Sequence, residues 1–297
     1  MELSVITITY NGLEDTLELL ESLSVALSKI QSEIIVVDNG SRINEALEIE
    51  NRYPQVITLR SELNLGFAGG NNLGIKQAKG KYLLFINNDT IVYDNLYSLV
   101  ERMENNKTLG ALSPKIRFAF DDKRIQFAGY SKLSTITLRN KLIGYEEIDK
   151  GQYDKFCKTS YVHGAAMIIP RSVIESVGEM PELYFLYYEE LDWSVMISNA
   201  GYELAYDPTC TVYHKESRAT GRGSALREYY LTRNRLIFAL RNTKGFICVL
   251  SILYQIFVVG IYKFFKDIIS LKSEYAYMRI KAILHFVMGV NGPLKIN

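Results

Sequence analysis

The sequence predicts an α/β protein: a mostly parallel sheet with helices on both faces, followed by a helical C-terminal part. Three observations lead there. Short β-branched apolar runs alternate with helical patterns through the first hundred residues. Four of those runs stop in turns of small polar residues. From about Ser224 the pattern is helical, without a proline until Pro293. Strand–helix alternation with short connections builds a parallel sheet covered on both faces.

The elements are expected in this order. Residues 3–9 read as a strand and 13–28 as a helix, with Leu13, Leu17, Leu20, Leu23 and Leu27 at helical spacing. Residues 33–37, 56–60 and 82–86 read as further strands, with helices over 43–51 and 72–78 between them. The middle is less regular, with strands expected at 111–118, 161–169 and 210–213. A helix over 189–200 should end at Gly201, the usual residue past a helix C-terminus. Two units are expected, 1–223 and 224–297, the first divided near residue 110.

Composition narrows the class. With 297 residues, 48% hydrophobic and 23% charged, disordered and collagen-like readings are excluded. The cysteines Cys157, Cys210 and Cys248 are odd in number and never in a C-x-x-C pair, which argues against a zinc or disulfide framework. The N-terminus opens into an apolar run with no basic region before it, so no secretory leader is expected. The net charge of +1 hides an asymmetry. From Arg227 onward there are 11 Lys/Arg against 3 Asp/Glu, leaving 23 against 30 in the residues before it. A basic tail suggests an anionic surface as partner; no nucleic-acid partner is expected.

In an open α/β sheet, ligands sit beyond the carboxyl ends of the strands. Those ends carry Thr9-Tyr10-Asn11-Gly12, Asp38-Asn39-Gly40-Ser41, Asn64 to Asn72, and Asn87-Asn88-Asp89-Thr90. One such turn is ordinary turn chemistry; four on one rim favour a nucleotide site. Asp38 is placed to accept from a pyrimidine imide or a ribose hydroxyl. The 66–72 loop offers close backbone approach and N–H groups at a helix start, suited to a diphosphate. It is not G-x-G-x-x-G, which disfavours a nicotinamide oxidoreductase. Asp89 suits a hard divalent cation shared with phosphate oxygens.

Taken with Phe185 to Trp193, Ala200-Gly201-Tyr202, Val212-Tyr213-His214 and Tyr229 to Arg235, these turns resemble the family 2 glycosyltransferases of GT-A fold, most nearly the bacterial rhamnosyltransferase-like branch. The resemblance implies a nucleotide-sugar half over 1–110, an acceptor half over 111–223, and inverting transfer from a nucleoside-diphosphate sugar, dTDP- or UDP-linked, helped by Mg²⁺ or Mn²⁺. It implies nucleotide-sugar contacts at Thr9, Tyr10, Asn11, Asp38, Asn64, Gly66, Gly70, Asn71, Asn87 and Asn88. The family's Asp-x-Asp turn reads Asn87-Asn88-Asp89 here, so the metal is expected on Asp89 and His214. The transferred sugar is rhamnose, another deoxyhexose or a hexose. The acceptor is a glycan or a lipid-linked glycan of cell-surface polysaccharide synthesis. The alternatives are a UDP-hexose transferase on another glycan, or a non-catalytic protein that binds sugar nucleotides or glycans.

Glu189, Glu190 and Asp192 follow an aromatic run and precede Trp193. Acids here favour a helix N-terminus, and aromatic surroundings can raise a carboxyl pKa into the range useful for a base. By resemblance the second acid of the pair is the base, which is Glu190, with Glu189 and Asp192 as substitutes. Trp193, Arg233 and Arg235 are candidates for acceptor or diphosphate contacts, Arg241 beside them. His163 reads as structural and His285 as packed. Seventeen uncharged residues, 246–262, lie between Lys244 and Lys263. That is short of the ~20 apolar residues of a spanning helix, so a buried or interfacial helix is expected, holding the enzyme at the inner face of the cell membrane.

Overall fold

The computed structural model describes residues 1–216 and 224–294. Strands β1 (Leu3–Thr9), β2 (Ser32–Asn39), β3 (Ile57–Ser61) and β4 (Tyr82–Ile86) alternate with helices α1 (Leu13–Ala26), α2 (Glu45–Arg52) and α3 (Gly66–Gln77). β1 pairs in parallel with β2 and β4, and β2 with β3. β1, β4 and the second half of β2 are apolar without alternation because both faces are covered, whereas the edge strand β3 alternates and is only half-buried. Val5, Leu84 and Ile86 pack with Leu19 and Leu23 of α1 on one side. Ile6, Ile35, Val37 and Phe85 pack with Ala68 and Ile75 of α3 on the other.

The second half comprises β5 (Thr90–Val92), α4 (Tyr97–Asn105), β6 (Leu109–Phe118), β7 (Asp121–Phe127), β8 (Cys157–Lys158), β9 (Ala166–Pro170), α5 (Arg171–Val177), α6 (Glu189–Asn199) and β10 (Glu203–His214). The main path of the sheet runs β3-β2-β1-β4-β9-β6-β10-β5. β9 is antiparallel to β4 and β6, β7 to β6, and β5 and β8 to β10. The sheet is therefore mixed: parallel through β1–β4, then with β9 antiparallel between β4 and β6, a second parallel pair β6–β10, and β5, β7 and β8 antiparallel at its margins. Apolar runs do not encode strand direction, which is why the sequence pattern read as mostly parallel.

Two boundaries moved for identifiable reasons. α3 starts at Gly66, six residues earlier than expected, because its glycines hide the helical period. They are packing residues: a Cβ on Gly74 would lie 2.4 Å from Ile6. β9 starts at Ala166, since 161–165 form the loop that carries His163 and Gly164 into the cleft. α6 ends before Gly201, at φ +93°, as expected.

Three helices complete the chain: α7 (Ala225–Asn242), the long helix α8 spanning Gly245–Ile269, and α9 (Ser273–Val287). The Ser224 hydroxyl caps α7 by accepting from the Arg227 N–H (3.1 Å). α8 contains a π-helical stretch, Tyr254–Gly260. The expected junction at residue 223 falls on 217–223, outside the described residues.

Candidate active site

The rim after β1 and β2 is built by two buried acids. Asp38 is fully buried: Oδ1 accepts from the Ser41 N–H (2.9 Å), while Oδ2 accepts from the Glu45 N–H (3.1 Å) and from the Arg60 guanidinium. Glu45, which sequence reasoning missed, accepts from the Thr9 hydroxyl and from the Gly12 (3.3 Å) and Leu13 (3.2 Å) N–H groups at the start of α1. The expectation of an open Asp38 carboxylate is thus corrected, and Thr9 is likewise turned to Glu45. Burying a carboxylate requires that its lone pairs be met, and here turn N–H groups and Arg60 meet them. Tyr10, 44% exposed, remains open on this rim. Asn11 beside it adopts φ +54° and accepts from the Arg42 N–H (3.0 Å).

The start of α3 is also closed. The N–H groups of Leu65, Gly66 and Phe67 donate to Asn39 Oδ1 (3.0 Å), Asn64 Oδ1 (2.8 Å) and the Phe185 carbonyl (2.9 Å). Gly66 has φ +76°, and a Cβ there would lie 2.2 Å from the Phe185 oxygen. Both the backbone angle and the close approach demand glycine. Gly70 packs on Ile8, and the Asn71 amide donates to the Phe67 carbonyl (3.0 Å). Gly66 therefore joins the start of α3 to the segment before α6, while Asn64 closes onto Asn39, Gly70 onto Ile8 and Asn71 onto Phe67, so the N–H groups of residues 65–67 expected to meet a diphosphate are engaged within the protein.

Antiparallel pairing of Thr90 with His214 brings the two expected metal ligands together. His214 Nε2 lies 3.1 Å from Asp89 Oδ1, and Nδ1 lies 2.9 Å from Gln126 Oε1. With Gln126 placed oxygen toward the ring, a neutral imidazole has one N–H for two oxygen partners. The second contact calls for a cation, a proton or a metal ion. A ligating histidine held through its other nitrogen is the usual support of such a site, so this donor set fits a divalent ion. Among the described residues, no group of three or more His, Cys, Asp or Glu side chains could hold a metal, so a divalent ion at this pair would need its remaining ligands from outside the protein. Burial pushes the Asp89 carboxyl up, but His214, its own backbone N–H and Lys215 outweigh it and hold the group below its ordinary value. Asn87 Nδ2 stands 3.5 Å from His214 Nε2, whereas Asn88 turns away to the Gly12 carbonyl (3.2 Å) and the Thr16 hydroxyl (3.0 Å).

The acidic cluster divides sharply. Asp192 is buried, and its oxygens accept from Arg241 Nε (2.7 Å) and Asn242 Nδ2 (2.7 Å); it ties α6 to α7 and does not reach the cleft. Trp193 is core, edge-on to Phe85 and donating to the Gly178 carbonyl (3.0 Å). Glu189 is 1% exposed and its Oε1 has no partner. Burial, then the charge of Glu190, pushes its carboxyl well up. Glu190 is half-buried, and burial raises it to about 7. Gly164 faces it: a Cβ there would lie 3.6 Å from the Glu190 carboxyl carbon. His163 stacks on Tyr130 (6.3 Å between centroids) and meets His214 edge-on (6.5 Å). Burial, then His214, lowers His163 to about 3, so it is neutral, with Nδ1 accepting from the Ala165 N–H (3.1 Å). Burial, then Glu190, raises the Tyr130 hydroxyl. Asp89, His214, His163 and Tyr130 are thus neighbours in turn, and Glu190 lies near enough to Tyr130 to act on its hydroxyl. Of these, Tyr130 carried no sequence signal, and His163 had one only in the glycine beside it.

α7 holds the acid pair in place. Phe185, Tyr187 and Tyr188 all have φ between 68° and 85°, a conformation that costs bulky residues about 1–3 kcal/mol each and persists only where neighbours impose it. Asn234 imposes it by donating to the carbonyls of Tyr184 (3.0 Å), Leu186 (2.8 Å) and Tyr187 (3.0 Å). Arg233, expected to reach a phosphate, is fully buried. It donates to the Tyr184 (2.8 Å) and Gly292 (2.8 Å) carbonyls, against the rings of Tyr229 and Tyr230. Arg235 is half-buried, with Nε on the Tyr188 hydroxyl (2.7 Å).

The chain is similar to known proteins along most of this architecture. It is 27% identical over 202 residues to a Sinorhizobium fredii protein described as uncharacterized protein y4gI, 64% of this chain but only 22% of that longer one. It is 25% identical over 247 residues to the N-acetylglucosaminyl-diphospho-decaprenol L-rhamnosyltransferase of Mycobacterium tuberculosis, covering 75% and 79% of the two chains. The structure resembles that of GalNAc-T7 with UDP, GalNAc and Mn²⁺ (TM-score 0.62, 17% identity, 91% of this chain and 57% of that one). It also resembles the mannosyltransferase PcManGT from Pyrobaculum calidifontis in complex with GDP-Man and Mn²⁺ (TM-score 0.59, 14% identity, 97% and 87%). At such identities these likenesses speak to the fold, a GT-A glycosyltransferase fold with a helical C-terminal region. The profile of Glycosyl transferase family 2 matches residues 4–178, more than half of the chain, and the protein therefore belongs to that family: it is a glycosyltransferase.

Proposed function

We propose that the enzyme transfers rhamnose or a related hexose, with inversion, from a dTDP- or UDP-linked donor to a lipid-linked glycan. The observation that supports this is the run of neighbouring side chains from the Asp89–His214 pair through His163 and Tyr130 toward Glu190. Glu190 takes the proton from the acceptor hydroxyl. The oxygen attacks the anomeric carbon on the face opposite the diphosphate, and the breaking C–O bond leaves its electrons on the diphosphate oxygen. A base with a pKa near the working pH is best matched to this step, and burial raises Glu190 to about 7. Asp89 and His214 would hold Mg²⁺ or Mn²⁺, which when bound supplies positive charge to the leaving diphosphate. The nucleotide lies over the open rim at Tyr10 and Asn11. Asp38, Thr9 and the Asn64–Asn71 stretch shape that rim from below. Residues 1–223 form the catalytic unit and 224–297 the surface-docking one.

Incubation with dTDP-rhamnose and with UDP- and GDP-sugars plus Mn²⁺, with a lipid extract as acceptor, should release nucleoside diphosphate from dTDP or UDP donors. Release from GDP-sugars alone would overturn the donor assignment.

The docking surface is the outer face of α8. Its inner side is bound to the protein: Ser251 Oγ donates to the Ile136 carbonyl (3.0 Å) and Gln255 Nε2 to the Thr137 carbonyl (2.9 Å). Its outer side exposes Phe246, Phe257, Tyr262, Phe265 and Ile269, from 58% to 81% each. Although α8 is long and apolar enough to cross a membrane, a helix lying along its own protein on one side suits the plane of an interface. The excess of eight positive charges from Arg227 onward adds headgroup attraction. The protein should co-sediment with anionic vesicles, less so at high salt because exposed charges are screened. Binding unaffected by salt or by lipid charge would remove the electrostatic half of this reading.

A further inference from the structure

A cationic pocket lies between α7, α8 and α9, on the side of α8 turned toward the protein. Thr232 and Arg235 of α7, Gln255, Gly260 and Lys263 of α8, and Arg279 of α9 line it. Its two neighbouring carboxylates are both taken by one guanidinium: Arg279 binds Glu228 (2.5 Å) and Asp267 (2.6 Å). Lys263 reaches Glu228 only at 3.9 Å, and Arg235 Nε donates to the Tyr188 hydroxyl (2.7 Å). The π-helical stretch of α8 forms one wall, and such bulges frequently sit at functional sites. Burial, then Arg279, lowers the Lys263 ammonium to about 8, as expected where cations crowd together without a full set of counter-charges.

We propose that Arg235 and Lys263, backed by Arg279, bind the phosphate of a phosphate- or diphosphate-bearing lipid, the anchor of the acceptor. Three features place a lipid there rather than a free anion. The same stretch of α8 that lines the pocket through Gln255, Gly260 and Lys263 exposes Phe257, Val258, Ile261 and Tyr262, an apolar face for a chain. The region is the one that carries the positive excess. Arg235 is one side chain from the acid pair, since its partner Tyr188 directly precedes Glu189 and Glu190. Guanidinium and ammonium groups are the usual phosphate ligands. This inference rests on the lipid-linked acceptor reading and names the part of the acceptor that is held.

The test is calorimetry on the full chain with farnesyl diphosphate and, separately, inorganic pyrophosphate, both in EDTA so that the Asp89–His214 pair takes no part. Farnesyl diphosphate should bind at least tenfold more tightly than pyrophosphate. Lys263→Gln and Arg235→Gln should each weaken it tenfold or more, and Lys263→Arg should restore it, with thermal melts confirming that each variant is folded. Equal affinity for the two probes would assign the pocket to a free phosphate and overturn the lipid assignment. Unchanged farnesyl diphosphate binding in folded Lys263→Gln would overturn the site. UDP and dTDP binding with Mn²⁺, measured on the unmodified protein, separates this from the proposed function. Nucleotide binding without farnesyl diphosphate binding sinks this inference alone; the converse sinks the donor reading alone.

Discussion

Glu190→Gln lowers kcat by about 10²–10⁴-fold, the usual contribution of a positioned general base, and leaves the affinity for nucleoside diphosphate unchanged. The amide preserves size and cannot take the acceptor proton. The unmodified enzyme should gain activity as pH rises through about 7, because the base works only when ionised and burial has raised Glu190 to that value; this limb should vanish in the variant. Stability supplies an independent readout with its own sign. A carboxyl whose folded pKa is raised favours the folded state at low pH and loses that contribution as pH rises from its unfolded value through about 7. Glu190→Gln should therefore melt at a higher temperature than the unmodified protein at pH 8, with the difference shrinking toward pH 4. Donor affinity that collapsed in the variant would make Glu190 a donor ligand and remove it as the base.

What the sequence disclosed and what it withheld follow from how each signal arises. β1 to β4 were legible because buried parallel strands are continuous apolar runs, and α6 because a glycine stops it. The Asp89–His214 pair was legible as two strand-end residues, though only the β5–β10 register explains why residues 125 apart in sequence meet. Asp38, Trp193 and Arg233 were misjudged for a common reason. A polar or aromatic residue at a rim has the same letter whether it faces a ligand or closes a turn from within, and only its partners decide. Arg233 and Asn234 show this best. They hold the carbonyls of Tyr184, Leu186 and Tyr187, and so fix the strained segment that leads into Glu189 and Glu190. Glu45 and Tyr130 gave no signal, because a single Glu at a helix start and a single Tyr in a loop are ordinary in any sequence.

Asp89→Ala should leave a folded protein that has lost transfer, by about 10³-fold in kcat/KM if several kcal/mol of charge stabilisation go with the bound ion. The fold survives because Asp89 lies on a turn with its side chain 15% exposed, while its main-chain carbonyl still accepts from the Lys215 N–H (2.9 Å). What disappears is the carboxylate beside His214 Nε2. The neighbouring Asn87 supplies an amide, which can donate to that nitrogen but brings no negative charge. Asp89→Asn is the sharper variant, since it keeps the shape of the turn and removes the charge alone. Both variants should therefore fail alike to show Mn²⁺-dependent binding of UDP or dTDP by calorimetry, with melting temperatures close to that of the unmodified enzyme. If Asp89→Asn turned over normally with Mn²⁺, the carboxylate would have no part in holding the ion. His214 would then have to act through a neutral hydrogen bond to the donor.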